Sequence, residues 1–154
     1  MIRFAGIDDI SALVDLAFSM HGESPVYRSI DFDVMDMRIF FETCIENKDR
    51  YCVILDVGDD GKIMGMFGGM IVPYMFNLTM FYSVDFGLYV APEYRGGMAV
   101  VRLIKAYEAW AAERGIPPQR MRLGESTGTV PEKVEALFHK LGYARTSTGY
   151  TKEV

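Results

Sequence analysis

Between Tyr89 and Val100 the chain reads Tyr-Val-Ala-Pro-Glu-Tyr-Arg-Gly-Gly-Met-Ala-Val, and two periodicities meet there. Residues 84–90 are rich in β-formers. Downstream, Val100, Leu103, Ile104, Tyr107 and Ala111 recur at helical spacing, with Arg102, Lys105 and Glu113 off that stripe. A strand that feeds an amphipathic helix through one short turn implies helices packed on a sheet. The Gly96–Gly97 pair removes Cβ atoms where the first N–H groups of the helix point outward. Those donors and the positive end of the helix dipole suit a phosphate or diphosphate, and Arg95 adds a charge beside them. An ordinary tight connection can share this composition. Neither G-x-G-x-x-G nor Gly-Lys-Ser/Thr is present, so the turn is neither a dinucleotide fingerprint nor a P-loop.

The remaining patterning gives the frame. Ile2–Ala5 reads as a strand, and Asp8-Asp9 caps a helix whose apolar side holds Ile10, Leu13, Val14, Leu16 and Ala17. A polar loop containing Glu23-Ser24-Pro25 precedes a second helix over Asp33–Asn47, with Met37, Phe40, Phe41, Cys44 and Ile45 facing inward. Strands follow at Tyr51–Val57, Lys62–Val72 and Phe81–Val90. The helix from Met98 to Arg114 stops at Gly115 and Pro117-Pro118. Arg120–Gly124 reads as a strand, Pro131–Leu141 as a helix, and Tyr143–Val154 as one final strand or two. The order β-α-α-β-β-β-α-β-α-β implies one α/β domain over residues 1–154, a mixed sheet with helices on both faces. The crossover into Arg120–Gly124 is expected to be right-handed, which puts the glycine turn at the carboxyl end of a sheet strand.

Charge and cysteine content narrow the classes. A net charge of −5 leaves no basic face for nucleic acid, so a polyanionic ligand needs local donors. No charged residue lies between Lys62 and Asp85, a span long enough for a bilayer. Its Pro73, Asn77 and scattered glycines fit two buried strands joined by a loop better than a membrane helix. Cys44 and Cys52, with only His21 and His139 to help, lack metal-ligand spacing; no metal is expected, and both thiols read as small apolar groups in a reducing cytoplasm. The first residues carry no signal-peptide pattern.

With these residues in view, the chain resembles the GCN5-related N-acetyltransferase superfamily. The resemblance rests on Tyr89-Val90-x-Pro92-Glu93-x-Arg95-Gly96-Gly97, on Arg102-Leu103-Ile104 and Glu108-x-Trp110-Ala111, on Leu123-Gly124-Glu125-Ser126-Thr127-Gly128, and on Leu141-Gly142-Tyr143 to Tyr150-x-Lys152. Arg-Gly-Gly together with Glu23-Ser24-Pro25-x-Tyr27 resembles a subgroup common in phages and prophages. The family pattern (Gln/Arg)-x-x-Gly-x-(Gly/Ala) fits imperfectly. Read from Arg95 it puts Met98 and Val100 on the small positions; read from Tyr94 it recovers Gly97 and Ala99 but loses the leading Arg.

The resemblance implies acetyl-CoA as cosubstrate and direct transfer to an amine acceptor. The pantetheine arm would lie along the strand at Leu88, Tyr89 and Val90, and the diphosphate on N–H groups of Arg95, Gly96, Gly97, Met98, Ala99 and Val100. Asp85 interrupts an apolar strand and is the first candidate base, placed by alternation on a face with Gly87 and Tyr89; Glu125 is the second. Family members often carry an acidic tyrosine where this chain has Phe138, so Tyr143 or Tyr150, or water, takes that role. Glu23, Tyr27, Tyr74, Met75, Phe76 and Met80 are expected to line the acceptor pocket, and the Met-rich strand also fits core or a homodimer contact. An inactive acyl-CoA-binding or host-protein interaction domain is the alternative.

Overall fold

A computed structural model of the chain describes residues 1–129 and 131–152. Its sheet has five strands in sequence order: β1 (Ile2–Phe4), β2 (Tyr51–Val57), β3 (Ile63–Tyr74), β4 (Asn77–Val90) and β5 (Met121–Arg122). The first four pair antiparallel, and β4 pairs parallel to β5. Helices α1 (Ile10–Glu23) and α2 (Val34–Glu46) cover one face. Helix α3 (Ala99–Glu113) covers the other, where Phe138 of α4 (Pro131–Lys140) also packs.

Apolar stripes set these contacts. Ile10, Leu13, Val14 and Ala17 of α1 and Phe41, Cys44 and Ile45 of α2 are buried against Val53, Leu55 and Met66. Leu103, Ile104, Tyr107, Trp110 and Ala111 of α3 are buried against Cys52, Ile54 and Phe67. Arg102, off that stripe, reaches through its aliphatic stem to Asp56 of β2, donating from Nε at 3.0 Å and Nη2 at 2.5 Å. Asp56 is fully buried, so this pair fixes the height of α3 over the sheet. Burial also raises both thiols, Cys44 to about 11 and Cys52 to about 12, which keeps them inert and apolar.

Several elements differ from the sequence reading. Asp9 does not cap α1; it accepts from Arg3 at 2.7 and 2.8 Å and from Gly6 N at 2.8 Å across a 3₁₀ turn at Ile7–Asp9. Asp33 does cap α2, accepting from Asp36 N at 2.9 Å. Phe40 is not inward but on the rim, edge-on to Phe86 with centroids 5.1 Å apart. The charge-free stretch forms one long hairpin, yet only its base is buried: Met75 and Phe76 at the tip are 80% and 91% exposed. No helix among the described residues is long and apolar enough to cross a membrane. The expected strand at Arg120–Gly124 shrinks to Met121–Arg122. No strand forms over residues 143–152, whose polar run lacks an alternating apolar face; Glu153 and Val154 lie outside the described residues.

Candidate active site

The sheet opens where β4 and β5 part. They pair only at Ser83 with Met121 and Val84 with Arg122, while β4 runs on to Val90. Ala91 N donates to Met64 O at 2.9 Å, so by alternation Leu88 and Val90 turn their backbone groups toward the open edge. One of these groups is already used: the Val90 carbonyl accepts from Arg95 Nε at 2.8 Å. Among the described residues, both backbone groups of Leu88 and the N–H of Val90 have no partner, an edge that an extended, amide-bearing ligand can pair with.

The turn after β4 leaves its backbone donors open. Pro92–Tyr94 forms one 3₁₀ turn, and Gly96 follows with φ +86°, a left-handed conformation that residues with a Cβ adopt only with strain. Met98 stands at the N-cap of α3, where its thioether offers no cap, so the first-turn donors of a fifteen-residue helix stay uncapped by any side chain. Among the described residues no acceptor meets the N–H of Gly96, Gly97 or Met98. A Cβ built on Gly96 finds nothing within 4 Å, and one on Gly97 finds only the Tyr94 carbonyl at 4.0 Å. Exposed donors around open space fit a diphosphate.

Arg95 does not stand free beside that space, as the sequence reading expects. Its Nη2 donates to Glu23 Oε2 at 2.7 Å, and its guanidinium carbon lies 5.3 Å from the centre of the Tyr89 ring. The Tyr89 hydroxyl donates to Glu23 Oε1 at 2.5 Å. Burial pushes the Glu23 carboxyl up, but the Tyr89 and Arg95 hydrogen bonds outweigh it and hold the group below its ordinary range. Burial, and then Glu23, push the Tyr89 hydroxyl up to about 12.

Asp85 sits where the strands separate, half-buried, with Oδ1 accepting from Gly124 N at 2.7 Å. Burial pushes its carboxyl up to about 6 against the Gly124 hydrogen bond and one from its own backbone. The facing inferred from simple alternation is overturned. Gly69 pairs with Asp85 and Gly68 with Gly87, so Phe86 is the extra residue of a bulge. The phase of β4 flips there: Asp85 joins Ser83 and Tyr107 on the α3 face, whereas Gly87 and Tyr89 face α1. A Cβ on Gly68 would overlap the Phe86 ring, so glycine at that position permits the bulge.

Glu125 and Tyr143 are engaged. Glu125 Oε1 accepts from Thr127 N at 2.9 Å, Thr127 Oγ1 at 2.6 Å and Gly128 N at 2.9 Å, which makes it the staple of the loop after β5. Tyr143 donates to Glu108 Oε1 at 3.1 Å; burial, then Glu108, drive its hydroxyl far above the ordinary tyrosine range. Tyr150 is exposed, and His139 bonds the Tyr143 carbonyl at the surface. Two features escape sequence reasoning. Buried Tyr107 links Ser83 Oγ at 2.7 Å to the Arg122 carbonyl at 3.2 Å, beneath Asp85. An apolar cavity of about 60 Å³, lined by Ala17, Met20, Met37, Phe40, Phe86 and Gly87, adjoins the bulge. Of the expected acceptor wall, Tyr74 instead packs against Tyr82 with the rings tilted by 45° and their centroids 4.8 Å apart, and Met75 and Phe76 point to solvent.

A five-strand mixed sheet with an open edge, a bulge beside it and a glycine turn into α3 make up a fold of the acetyltransferase type. The chain matches the model of the acetyltransferase (GNAT) family over residues 12–143 and belongs to that family. Among solved structures, a protein from Clostridium acetobutylicum described as a predicted acetyltransferase, solved with acetyl-CoA, is 18% identical, with TM-score 0.73, covering 99% of this chain and 95% of its own. Glucosamine-6-phosphate N-acetyltransferase from Arabidopsis thaliana is 15% identical with TM-score 0.76, covering 99% and 97%. A mutant of the BH1408 protein from Bacillus halodurans is 17% identical with TM-score 0.80, covering 100% and 99%. At this identity the likeness shows the fold. No curated protein is similar in sequence at a significant level.

Proposed function

We propose that residues 1–154 act as one acetyl-CoA-dependent N-acetyltransferase domain that passes the acetyl group directly to a primary amine in a ternary complex. The observation that carries this reading is the run of N–H donors from Gly96 to Met98, without acceptors among the described residues, leading into the uncapped first turn of α3 at the end of a strand whose edge is open from Leu88 to Val90. Acetyl-CoA, when bound, supplies an acyl group activated as a thioester. The Gly96–Val100 donors hold its diphosphate and the Leu88 and Val90 backbone groups hold its arm. A fixed strand donor such as the Leu88 N–H stabilises negative charge on an acyl oxygen; such donors are worth about 3–4 kcal/mol.

The attacking amine must be neutral. For a lysine-like amine of pKa about 10.4, deprotonation at pH 7 costs about 4–5 kcal/mol. Asp85 takes that proton, directly or through water: its carboxyl, raised to about 6, is mostly ionised at neutral pH yet more basic than an ordinary aspartate. Glu125 organises the loop, and Tyr143, held protonated by its surroundings, braces Glu108. The cavity at the bulge receives the apolar part of the acceptor. The phage-like motif resemblance keeps host-protein amines among the acceptors beside polyamines and amino sugars.

The test measures free-thiol release from acetyl-CoA with peptides bearing free N-termini or lysines, polyamines, amino sugars and aminoglycosides, alongside calorimetry with coenzyme A. Thiol release with at least one amine class supports the reading. Absence of coenzyme binding at millimolar concentration refutes it, and binding without turnover across the panel points to the inactive alternative.

A further inference from the structure

The Glu23-Ser24-Pro25 segment has no task in the chemistry above, yet it is among the most firmly tied polar stretches of the chain. Fully buried Ser24 donates to the Thr127 carbonyl at 2.6 Å and accepts from Val26 N at 3.2 Å and Tyr27 N at 3.1 Å. Its neighbour Glu23 spreads its two carboxylate oxygens over two residues of the opposite wall, Tyr89 at 2.5 Å and Arg95 at 2.7 Å. One turn at the end of α1 is thus fastened to the loop after β5 and to the turn after β4, which flank the cleft.

Arg95 is held at three points: Glu23, the Tyr89 ring and the Val90 carbonyl. The backbone on its C-terminal side has no such hold, since Gly96 has open space around it and the donors from Gly96 to Met98 have no acceptors among the described residues. An unbraced run of glycines samples many conformations, and each costs a ligand ordering entropy. We infer that Glu23 is a positioning residue for the coenzyme turn: by clamping Arg95 against Tyr89 it keeps the Gly96–Val100 donors convergent before the coenzyme arrives. The clamp comes from the end of α1, the helix whose Ala17 and Met20 line the cavity at the bulge, so it ties the coenzyme turn to that helix. The inference rests on the acetyltransferase reading for its ligand, but the clamp itself can be observed without one.

Electrostatics gives the test its sign. Glu23 is an anion near a proposed diphosphate site, so removing its charge should tighten coenzyme binding if charge were all that mattered. A clamp predicts the reverse. Glu23→Gln keeps an acceptor for Tyr89 but loses the ionic hold on Arg95, and calorimetry with coenzyme A should show Kd raised about fivefold. The pair is partly exposed, which limits the effect. Arg95→Lys keeps the charge but cannot reach Val90 and Glu23 together, so it should weaken binding similarly, and the double variant should be little worse than either. Glu93→Gln, an exposed carboxylate in the same turn, should leave Kd within twofold.

In the free protein, amide hydrogen exchange at Tyr94 and Arg95, whose N–H groups close the turn onto Ala91 and Pro92, should accelerate about fivefold in Glu23→Gln while Leu103 in α3 is unchanged. Unchanged or tighter coenzyme binding, additive effects in the double variant, or unaltered exchange at Tyr94 and Arg95 overturns the clamp. A wild-type protein that binds no coenzyme overturns the acetyltransferase reading instead, and the exchange data still decide whether the clamp exists.

Discussion

Replacing Asp85 with asparagine separates the chemical and structural roles of one carboxylate. The amide is nearly isosteric and its oxygen can still accept from Gly124 N, so geometry is preserved. In the folded protein burial raises the carboxyl from 3.8 to about 6, which at about 1.4 kcal/mol for each tenfold disfavours the ionised form by about 3 kcal/mol. Partial solvent access reduces this to about 1–2 kcal/mol. For a folded pKa above the unfolded value, stability is greatest below the unfolded value and falls as pH rises through the folded one. The wild type therefore carries the cost above about pH 6 and is free of it below about pH 4, whereas Asp85→Asn is free of it throughout.

At about 2–4 °C per kcal/mol for a chain of this size, Asp85→Asn should melt about 2–8 °C higher than wild type at pH 8 and at the same temperature near pH 4. Activity should move the other way. Loss of a positioned base costs about a hundredfold in kcat/KM at pH 7, and the deficit should narrow as pH rises and the amine loses its own proton. Thermal unfolding across pH 4–8 beside a pH–rate profile reads both effects. A variant that melts lower than wild type at every pH would show that the charge is compensated and the burial argument wrong. An unchanged pH–rate profile would remove Asp85 from proton transfer.

Three further perturbations test the surrounding design. Gly96→Ala forces a Cβ onto a residue at φ +86° and should cost about 1–2 kcal/mol in denaturant unfolding as well as weaken coenzyme binding, whereas Gly97→Ala, without a positive φ, should cost under about 0.5 kcal/mol. Gly68→Ala should displace the Phe86 ring, lower stability by about 1–3 kcal/mol and reduce turnover, and a crystal structure keeping the bulge in place would contradict this. Glu125→Gln retains the oxygen that Thr127 and Gly128 use and should keep most activity, while Glu125→Ala frees the loop and lowers it; inactivity of the glutamine variant with unaltered melting would mark Glu125 as the base.

Local chemistry alone decided a large part of this protein. Apolar spacing placed α1, α2 and α3, glycine and proline set their ends, and the strand–turn–helix with its bare glycines was readable, because short-range propensity and periodicity act within a few residues. The family resemblance, resting on the same motifs, agrees with the match over residues 12–143. Long-range pairing decided the rest. The Phe86 bulge depends on which β3 glycine lies opposite, and that register reversed the facing assigned to Asp85. Arg95 looked free until α1 brought Glu23, 72 positions away in sequence, to within 2.7 Å. Tyr143 is a typical catalytic side chain by type, and only the tertiary arrangement shows its hydroxyl already committed to Glu108, 35 positions away. A side chain's availability depends on which other groups the fold delivers to it, and no local window of sequence contains them.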